Sequence, residues 1–262
     1  MIEVLSYLKL FFFIIFFLIL YILEFYFSNR EWKSKRFARL AFHSLIAIIN
    51  TILMRIPSLF LIIPALLLIN ENDFGLISLL NLNFLIKAII CFLLLDFAYY
   101  WWHRFNHTNN FLWRFHSVHH LDTHMDVTTA LRFHFGELLF SSFYKVFLIL
   151  VIGTPISIFI FYEIILSAST QFHHSNIKLP SRLNSMLMKI IVTPEYHTNH
   201  HTVTKKTREA NYSSIFTIWD KIFFTLKDSN SIDRAYLGLN DRNHEFGIIA
   251  NLKYPFKSVD TD

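Results

Sequence analysis

Eight of the 14 histidines stand in three short groups whose spacing suits metal binding. On an α-helix successive residues are about 100° apart, so residues at i, i+3 and i+4 lie on neighbouring parts of one face. Apolar packing does not require imidazoles in this pattern, whereas a two-metal site must collect many ligands from few rigid elements. Scattered surface histidines are the alternative. The spacing favours a dinuclear metal site built from three clusters: His103 and His107; His116, His119 and His120; His197, His200 and His201.

The donor chemistry narrows the choice of metal. Cys91 is the only cysteine, which excludes internal disulfides and sites with several thiolate ligands. Imidazole ligands suit Fe, Zn, Cu and Ni. A closed structural zinc site takes four ligands, and the clusters supply about twice that number. No cluster has glutamate after its first histidine, as His-Glu-x-x-His zinc hydrolases do. A redox metal that activates O₂ is favoured for a site facing lipid.

The remaining histidines are less distinctive. His174 follows the last apolar region and is predicted to be a further ligand, which its neighbour His173 could replace or assist. His134 could be a ligand or a donor in the surroundings of the site. The other single histidines are expected to be ordinary polar residues: His43, His124 and His244.

Two local signals accompany the clusters. Thr193, Pro194 and Glu195 read as an N-cap, a first-turn proline and a first-turn acid, so they predict the start of the helix that carries the third cluster. Asp96 precedes the first cluster by seven residues on the same helical face. Either it orients a ligand imidazole that arrives from another helix, or it pairs with an arginine or lysine.

The elements that position these residues lie in a membrane. The chain is 54% hydrophobic and 16% charged, with a mean hydropathy of +0.41 and 30 phenylalanines. Soluble domains carry about 25% charged residues. Four apolar regions are predicted to be embedded, of which the first is an uncleaved anchor: 10–26, 40–70, 84–102 and 138–168. The fourth is interrupted at Gly153-Thr154-Pro155, and each half is short for a span, so a bent hairpin is expected.

The basic residues predict the orientation. The net charge is +5, but many of the positive residues stand between the first two apolar regions, as the positive-inside rule requires of a cytoplasmic loop. They indicate a membrane surface rather than a nucleic acid as the partner. If that loop is cytoplasmic, all three clusters return to the cytoplasmic side. The residues concerned are Arg30, Lys33, Lys35, Arg36 and Arg39. The predicted fold is an all-α integral membrane protein, with about four membrane-embedded helical regions and a cytoplasmic histidine-rich helical cap.

Several motifs over roughly residues 84–226 together resemble the fatty acid hydroxylase/sterol desaturase superfamily of membrane di-iron oxygenases. They include Asp96 with the run from Tyr99 to Arg104, the run from Asp126 to His134, Asn211-Tyr212 and Trp219-Asp220. The resemblance implies a cytoplasmic di-iron centre, with zinc possible after purification, and O₂ as co-substrate. It places the metal ligands at nine positions: His103, His107, His116, His119, His120, His174, His197, His200 and His201.

The sequence departs from the superfamily at turns rather than at ligands. Ser213 and Phe224 stand where glycine is usual, and Phe135 stands where proline is usual. The resemblance divides the chain into N-terminal anchor helices at 1–82, a catalytic domain at 83–227 and a polar tail at 228–262.

The expected activity is O₂-dependent hydroxylation or desaturation of a lipid C–H bond, with no catalytic residues beyond the metal ligands. The chain has five glycines and no nucleotide-binding loop, so electrons are expected from an external donor protein. The alternatives are a zinc-dependent membrane hydrolase and a non-enzymatic membrane protein that binds or transports metal.

Overall fold

Every regular element in the described part of the chain is helical, as the sequence predicts. The computed structural model describes residues 2–32, 36–72, 74–228, 234, 236–239 and 247–257. The α-helices are α1 (Ile2–Tyr26), α2 (Arg36–Leu53), α3 (Arg55–Pro57), α4 (Ile63–Asn72), α5 (Phe84–Thr108), α6 (Asn110–His120), α7 (Phe135–Leu148), α8 (Ile156–His174), α9 (Ser181–Leu187), α10 (Pro194–His200), α11 (Lys205–Arg208), α12 (Ile218–Ile222) and α13 (Ile248–Lys253). Short 3₁₀ segments cover Val127–Leu131 and Tyr254–Phe256, and π-turns cover Ser58–Ile62 and Ile149–Gly153.

Five helical stretches are long and apolar enough to cross a bilayer: Tyr7–Tyr26, Arg36–Asn72, Phe84–Thr108, Phe135–Gly153 and Ile156–His174. Many of their large apolar side chains are exposed, which is the arrangement that lipid as a solvent favours. The chain is therefore an integral membrane protein. The second stretch changes from α-helix to a π-turn directly after Pro57, since proline has no amide hydrogen to continue the regular helical bonding.

The interruption predicted at Gly153 is present, but the two halves are longer than expected. Each stretch has 19 residues, because α7 begins at Phe135 and α8 continues to His174. Gly153 has φ +74°, and a Cβ atom there would lie 2.3 Å from the carbonyl oxygen of Phe74. The amides of Leu76 and Ile77 donate to the carbonyls of residues 151 and 152 at 2.9 Å. The loop after α4 thus lies against the break.

A buried glutamate fixes the C-terminal end of α1. Glu24 is fully buried, and its Oε1 accepts hydrogen bonds from the amides of Val127 at 2.7 Å and Asn176 at 2.6 Å. The first amide belongs to the first residue of a 3₁₀ turn, and the second lies just after α8. Glu24, the only charged residue of the first apolar region, therefore joins α1 to the 3₁₀ turn at Val127 and to the segment that follows α8.

The basic segment is less of a loop than expected. Arg36 begins α2, and Arg39 is buried within it. The Arg39 guanidinium donates to both oxygens of Asp122 at 2.8 Å and to Asp126 at 2.6 Å. Burial opposes ionisation of Asp122, but the charge of Arg39 outweighs it and holds the pKa of that carboxyl well below its usual range. Arg39 is therefore a structural ion-pair partner. Lys33 and Lys35 lie outside the described residues.

Candidate metal centre

Nine histidines converge in two groups, eight of them buried and His103 half-buried. Within each group the candidate ligand atoms all lie within 4.8 Å of one another. Among the described residues, every member of both groups is a histidine. We call these site A and site B. Site A contains His103, His107, His116, His120 and His200, and site B contains His119, His174, His197 and His201. These are the nine positions that the superfamily resemblance implies, and their role as ligands remains a prediction.

Helix geometry explains how the clusters divide between the sites. Residues four apart are about 40° apart around a helix axis, whereas residues three apart are about 60° apart in the opposite direction. Accordingly His116 and His120 both enter site A, and the intervening His119 enters site B. The third cluster is divided in the opposite sense, because His197 and His201 enter site B. Each three-histidine cluster therefore contributes to both sites and holds them side by side.

Backbone carbonyls fix the ring orientation of four of these histidines. In site A, the Nδ1 of His103 lies 2.8 Å from the Tyr212 carbonyl, and that of His200 lies 2.7 Å from the Ala210 carbonyl. A carbonyl oxygen can only accept, so each Nδ1 carries the proton. Each Nε2 is then unprotonated and available to a metal.

Site B contains the same arrangement. The Nδ1 of His119 lies 3.1 Å from the Arg132 carbonyl, and that of His174 lies 2.7 Å from the Thr170 carbonyl. The Nε2 atoms of His119 and His174 nevertheless lie only 2.9 Å apart, and the Nε2 of His197 lies 3.2 Å from that of His174. Two unprotonated nitrogens cannot hydrogen-bond to each other. A cation between them satisfies both, so the donor set fits a bound metal.

A carboxylate, rather than a backbone carbonyl, orients one further histidine of site A. The Nδ1 of His116 lies 2.8 Å from Oε1 of Glu137, the first-turn acid of α7, and both groups are buried. This bond directs the Nε2 of His116 into site A. The only sequence signal for this contact is an acid three residues after His134, and spacing alone could not assign a partner to it.

Ring nitrogens without hydrogen-bond partners show whether these histidines suit a bound metal. Both ring nitrogens of His107, His120 and His201 are buried and have no hydrogen-bond partner within the described structure. Leaving buried polar atoms unsatisfied costs about 1–3 kcal/mol each. Metal coordination removes that cost at the one nitrogen of each ring that binds the ion, and imidazole nitrogens at this density suit iron or zinc.

The electrostatics keep the imidazoles neutral. Burial lowers the pKa of His120 well below its usual range, and the neighbouring imidazoles, His201 first, lower it further. Burial and neighbouring imidazoles also lower the pKa of His197 and of His201. For His201 the His119 ring is the neighbour with the largest effect. Neutral imidazole is the form that binds metal, so the site is preorganised for coordination.

The third cluster is placed by the predicted start signal and by an aspartate of α12. The Thr193 side chain caps α10 and Pro194 occupies its first turn, as the sequence indicates. Asp220 is buried and accepts from the Tyr196 hydroxyl at 2.8 Å and from the amides of Tyr212 and Ser213 at 2.9 Å. Because the Tyr212 carbonyl holds His103, Asp220 connects the third cluster to the first. From sequence, Asp220 was recognisable only as part of the Trp219-Asp220 motif, with no role assigned to it.

The described histidines outside the three clusters, other than His174, belong to neither site. His173 belongs to neither site, although its ring centroid lies 4.1 Å from that of His197. His134 caps α7 by accepting from the Gly136 amide at 3.0 Å, and its Nε2 lies 3.2 Å from the Leu252 carbonyl. His43 bonds to Thr128 at 2.7 Å, and the His124 ring packs against Trp32 in a tilted arrangement, with the ring centroids 5.0 Å apart. His244 lies outside the described residues.

Asp96 takes neither of the two expected roles. Its Oδ2 accepts from the indole Nε1 of Trp219 at 2.7 Å and from the amide of Phe216 at 3.2 Å. Its partners in the described structure are thus an indole and a backbone amide instead of an imidazole or a basic side chain. Periodicity placed Asp96 on the histidine face of α5 but could not show that residues 216–219 fold back onto that helix.

A cavity of about 360 Å³ adjoins both sites. Its wall includes His103 and His116 of site A and His119, His174 and His197 of site B. Apolar residues from α1, α7 and α8 complete it, including Phe13, Leu138 and Leu166. A chain-like apolar ligand in this cavity would lie between membrane helices with one part against the histidines.

The comparisons with known proteins agree with this arrangement. The profile of the fatty acid hydroxylase family matches residues 88–225, more than half of the chain. An alkylglycerol monooxygenase of Danio rerio is 32% identical over 178 residues, which are 64% of this chain and 36% of that protein. An ornithine lipid hydroxylase of Rhizobium tropici is 25% identical over 170 residues, 65% of this chain and 50% of that protein.

A cholesterol 25-hydroxylase of Mus musculus is 29% identical over 145 residues, covering 54% of this chain and 47% of that protein. The matched part is therefore half or less of each of these three relatives. No solved structure matches the chain at a significant level. The family match covers all nine histidines of the two sites together with Glu137 and Asp220. The chain belongs to the fatty acid hydroxylase family.

Proposed function

We propose that this protein is a membrane-bound lipid hydroxylase that holds two iron ions and uses O₂. The observation that carries the proposal is the convergence of nine imidazoles in two adjacent groups beside a cavity between membrane helices. The three relatives described above are named as a monooxygenase and two hydroxylases, which supports hydroxylation rather than desaturation as the outcome.

In this proposal one iron is held by site A and the other by site B. The bound irons supply the redox chemistry that activates O₂ toward a C–H bond. The carbonyls of Tyr212 and Ala210 and the carboxylate of Glu137 orient rings of site A, and the carbonyls of Arg132 and Thr170 orient rings of site B. Fixed rings reduce the reorganisation that metal binding would otherwise require.

The protein around the site excludes water and presents the substrate. Buried histidines and the apolar side chains of the cavity wall near them, such as Phe133 and Leu166, provide a low-dielectric environment, which suits a reaction at an unactivated C–H bond. The lipid chain would enter from the bilayer between the helices and lie against His103, His119 and His174. The substrate is proposed to be a fatty acyl, sterol-like or related lipid, and the shape of the cavity selects the carbon that is attacked.

Electrons are proposed to come from a separate donor protein at the cytoplasmic surface. Arg30 donates to the Thr198 hydroxyl at 3.1 Å and to the Met125 carbonyl at 2.6 Å. These contacts join the basic segment before α2 to the histidine-bearing cap. They support the assignment of both to the same side of the membrane, which the positive-inside rule makes the cytoplasm.

The proposed domain division follows the same functional logic. Residues 1–82 would serve as anchor helices, 83–227 as the catalytic domain and 228–262 as a polar tail. The described part of the tail is nevertheless attached to the core. The Asn251 side chain accepts from Arg132 at 3.0 Å, and the Leu252 carbonyl lies beside His134. Deletion of the tail is therefore expected to weaken the segment that supports His119.

The decisive experiment measures metal content and oxygen incorporation together. Protein purified in nanodiscs under iron-replete conditions should contain about two irons per chain. With a reductant and ¹⁸O₂, membrane lipids should gain one ¹⁸O atom as a hydroxyl group, and the yield should follow iron occupancy. Hydrolysed lipid from a zinc-loaded protein under anaerobic conditions would establish the hydrolase instead. Metal-coupled uptake into proteoliposomes, with no altered lipid, would establish a transporter.

The orientation has its own test. Single cysteines at Asn109 and Lys205 in a Cys91→Ala background should react with a membrane-impermeant maleimide only from the cytoplasmic side. Asn72, at the end of α4, provides the opposite control. Reaction of Asn109 and Lys205 from different sides would be incompatible with a single histidine cap.

A further inference from the structure

Two lysines and one glutamate form a charged cluster within the membrane-embedded helices. Lys9 of α1 and Lys145 of α7 both contact Glu163 of α8, with Nζ–O distances of 2.7 Å and 3.0 Å. The Tyr99 hydroxyl donates to the same carboxylate at 3.3 Å. All four residues line the cavity that reaches the histidines. The two iron sites and their ligands, as proposed above, do not involve this cluster.

The charges of the cluster are unequal. Two ammonium groups and one carboxylate leave a net charge of +1 in a region where uncompensated charge is costly. Each ammonium has three hydrogens to donate, whereas the carboxylate of Glu163 has two oxygens that already receive Lys9, Lys145 and Tyr99. The two ammonium groups therefore have more N–H donors than this carboxylate can accept, and one further negative charge would make the cluster neutral.

The position of the cluster relates it to the proposed reaction. Glu163 precedes His174 by 11 residues on α8 (174 − 163), which corresponds to about 16 Å along the helix axis. The cavity extends over this distance, because it is lined by both residues. Its volume of about 360 Å³ is at the lower end of the range for small-molecule sites, which favours one hydrocarbon chain over two.

We propose that Lys9 and Lys145 bind the anionic end of a single-chain lipid, whose hydrocarbon part runs along α8 to the histidines. The inference rests on the proposed lipid hydroxylase function and specifies its substrate class. A monoanionic group neutralises the cluster and receives the spare hydrogen bonds. The separation along α8 would bring a carbon roughly a dozen atoms from that group to site B. A carboxylate and a phosphodiester share this chemistry and are separated by the experiment.

The test is equilibrium binding of radiolabelled hexadecanoate to the holoprotein in phosphatidylcholine nanodiscs, without reductant, with empty discs as the blank. Competitors are hexadecanoate, its methyl ester, hexadecanol and 1-palmitoyl lysophosphatidylglycerol. Hexadecanoate should compete at least about 10-fold better than its methyl ester, the size expected of a charge-assisted hydrogen bond. Equal competition by the lysophospholipid identifies a phosphodiester as an accepted anionic group, and weaker competition restricts the site to carboxylates.

Variants separate recognition from structure. Lys145→Met and Lys9→Met should each reduce the preference for hexadecanoate over its methyl ester to within about threefold, whereas Lys145→Arg should retain it. Glu163→Gln raises the net charge and should retain or increase the preference. Lys87→Met is the matched control, because Lys87 lies in a membrane helix but does not line the cavity.

The outcomes distinguish this inference from the proposed function. Equal binding of hexadecanoate and its methyl ester by the wild-type protein would overturn the inference, even if lipids are hydroxylated. So would lowered melting temperatures of Lys9→Met and Lys145→Met with an unchanged preference, because that result describes a helix tie. A preserved preference without any oxygen incorporation would leave the binding site intact and remove the hydroxylase function.

Discussion

His116 and Glu137 form a buried pair in which the imidazole Nδ1 lies 2.8 Å from a carboxylate oxygen. The two residues come from different helices, α6 and α7, and the pair lies at the wall of the cavity. The carboxylate accepts the Nδ1 proton and holds the other ring nitrogen toward site A. Through this contact, the packing of α7 against α6 influences how tightly site A binds its metal.

Removal of the negative charge from this pair should weaken site A selectively. Glu137→Gln should lower metal affinity at one of the two positions by roughly 10- to 100-fold, the usual effect of a residue that orients a ligand. Titration with a chelator, followed by metal analysis, measures the two affinities separately. Glu209→Gln is the control, because Glu209 is exposed and pairs only weakly with Lys205 at 3.9 Å. Equal weakening of both positions would contradict the assignment of His116 to site A.

The two-site arrangement predicts the stoichiometry of histidine variants. His107→Ala removes a site A residue and His201→Ala removes a site B residue. Each variant should bind about one metal per chain instead of about two, and each should lose turnover. The double variant should bind almost none. His134→Asn retains a good N-cap residue for α7 and should keep full occupancy. Full occupancy in His107→Ala would remove that residue from site A.

The observed partners of Asp96 predict a stability effect rather than a catalytic one. Asp96→Asn weakens a buried bond to the Trp219 indole, and Trp219→Phe removes the other partner. Each change should destabilise the protein by about 1–3 kcal/mol, with turnover per bound metal nearly unchanged. A double-mutant cycle should give a coupling energy of about 1 kcal/mol or more. A large loss of turnover at full metal occupancy in Asp96→Asn would restore a role at the metal centre.

The break between α7 and α8 depends on glycine. Gly153→Ala imposes a side chain at φ +74° and places Cβ 2.3 Å from the Phe74 carbonyl oxygen. We expect a loss of several kcal/mol, because left-handed strain and a steric clash add. Gly247→Ala is the matched control, since its nearest neighbour, the Ala250 Cβ, lies at 3.3 Å and its backbone is extended. Thermal unfolding in nanodiscs compares the two. Similar melting temperatures would show that the loop after α4 can move aside.

His124 predicts a pH-dependent contribution to stability away from both metal sites. Burial lowers the pKa of His124 to about 4, with the charge of Arg39 as the next cause. The unfolded chain takes up the proton near pH 6.5, so the neutral ring favours the folded state above that pH, and this contribution is lost as the pH falls toward 4. At pH 5 the loss is about 2 kcal/mol. The difference in unfolding free energy between wild type and His124→Gln should therefore change by that amount between pH 7 and pH 5. A constant difference would mean that the ring is protonated in the fold.

The spacing of residues along the sequence determined much of this protein. Helical periodicity alone grouped the eight clustered histidines, because i, i+3 and i+4 positions share a face whatever the tertiary structure. Apolar length marked the membrane stretches, since a span needs about 20 residues to cross the hydrocarbon. Thr193 and Pro194 marked the start of α10, because an N-cap and a first-turn proline act within one turn of helix. These inferences depend on interactions that are local in the chain.

The tertiary structure decided which distant residues meet. The sequence showed no division of the clusters between sites A and B, because the division depends on where α6 and α10 face each other and α8. Asp96 was placed on the correct helical face and assigned the wrong partners, since residues 216–219 reach it only through a fold-back of more than 100 residues. Glu137, Asp220 and Arg39 act through contacts with residues 21, 24 and 83 positions away. Contacts of this kind leave no period in a sequence, because they are set by how helices pack rather than by how one helix winds.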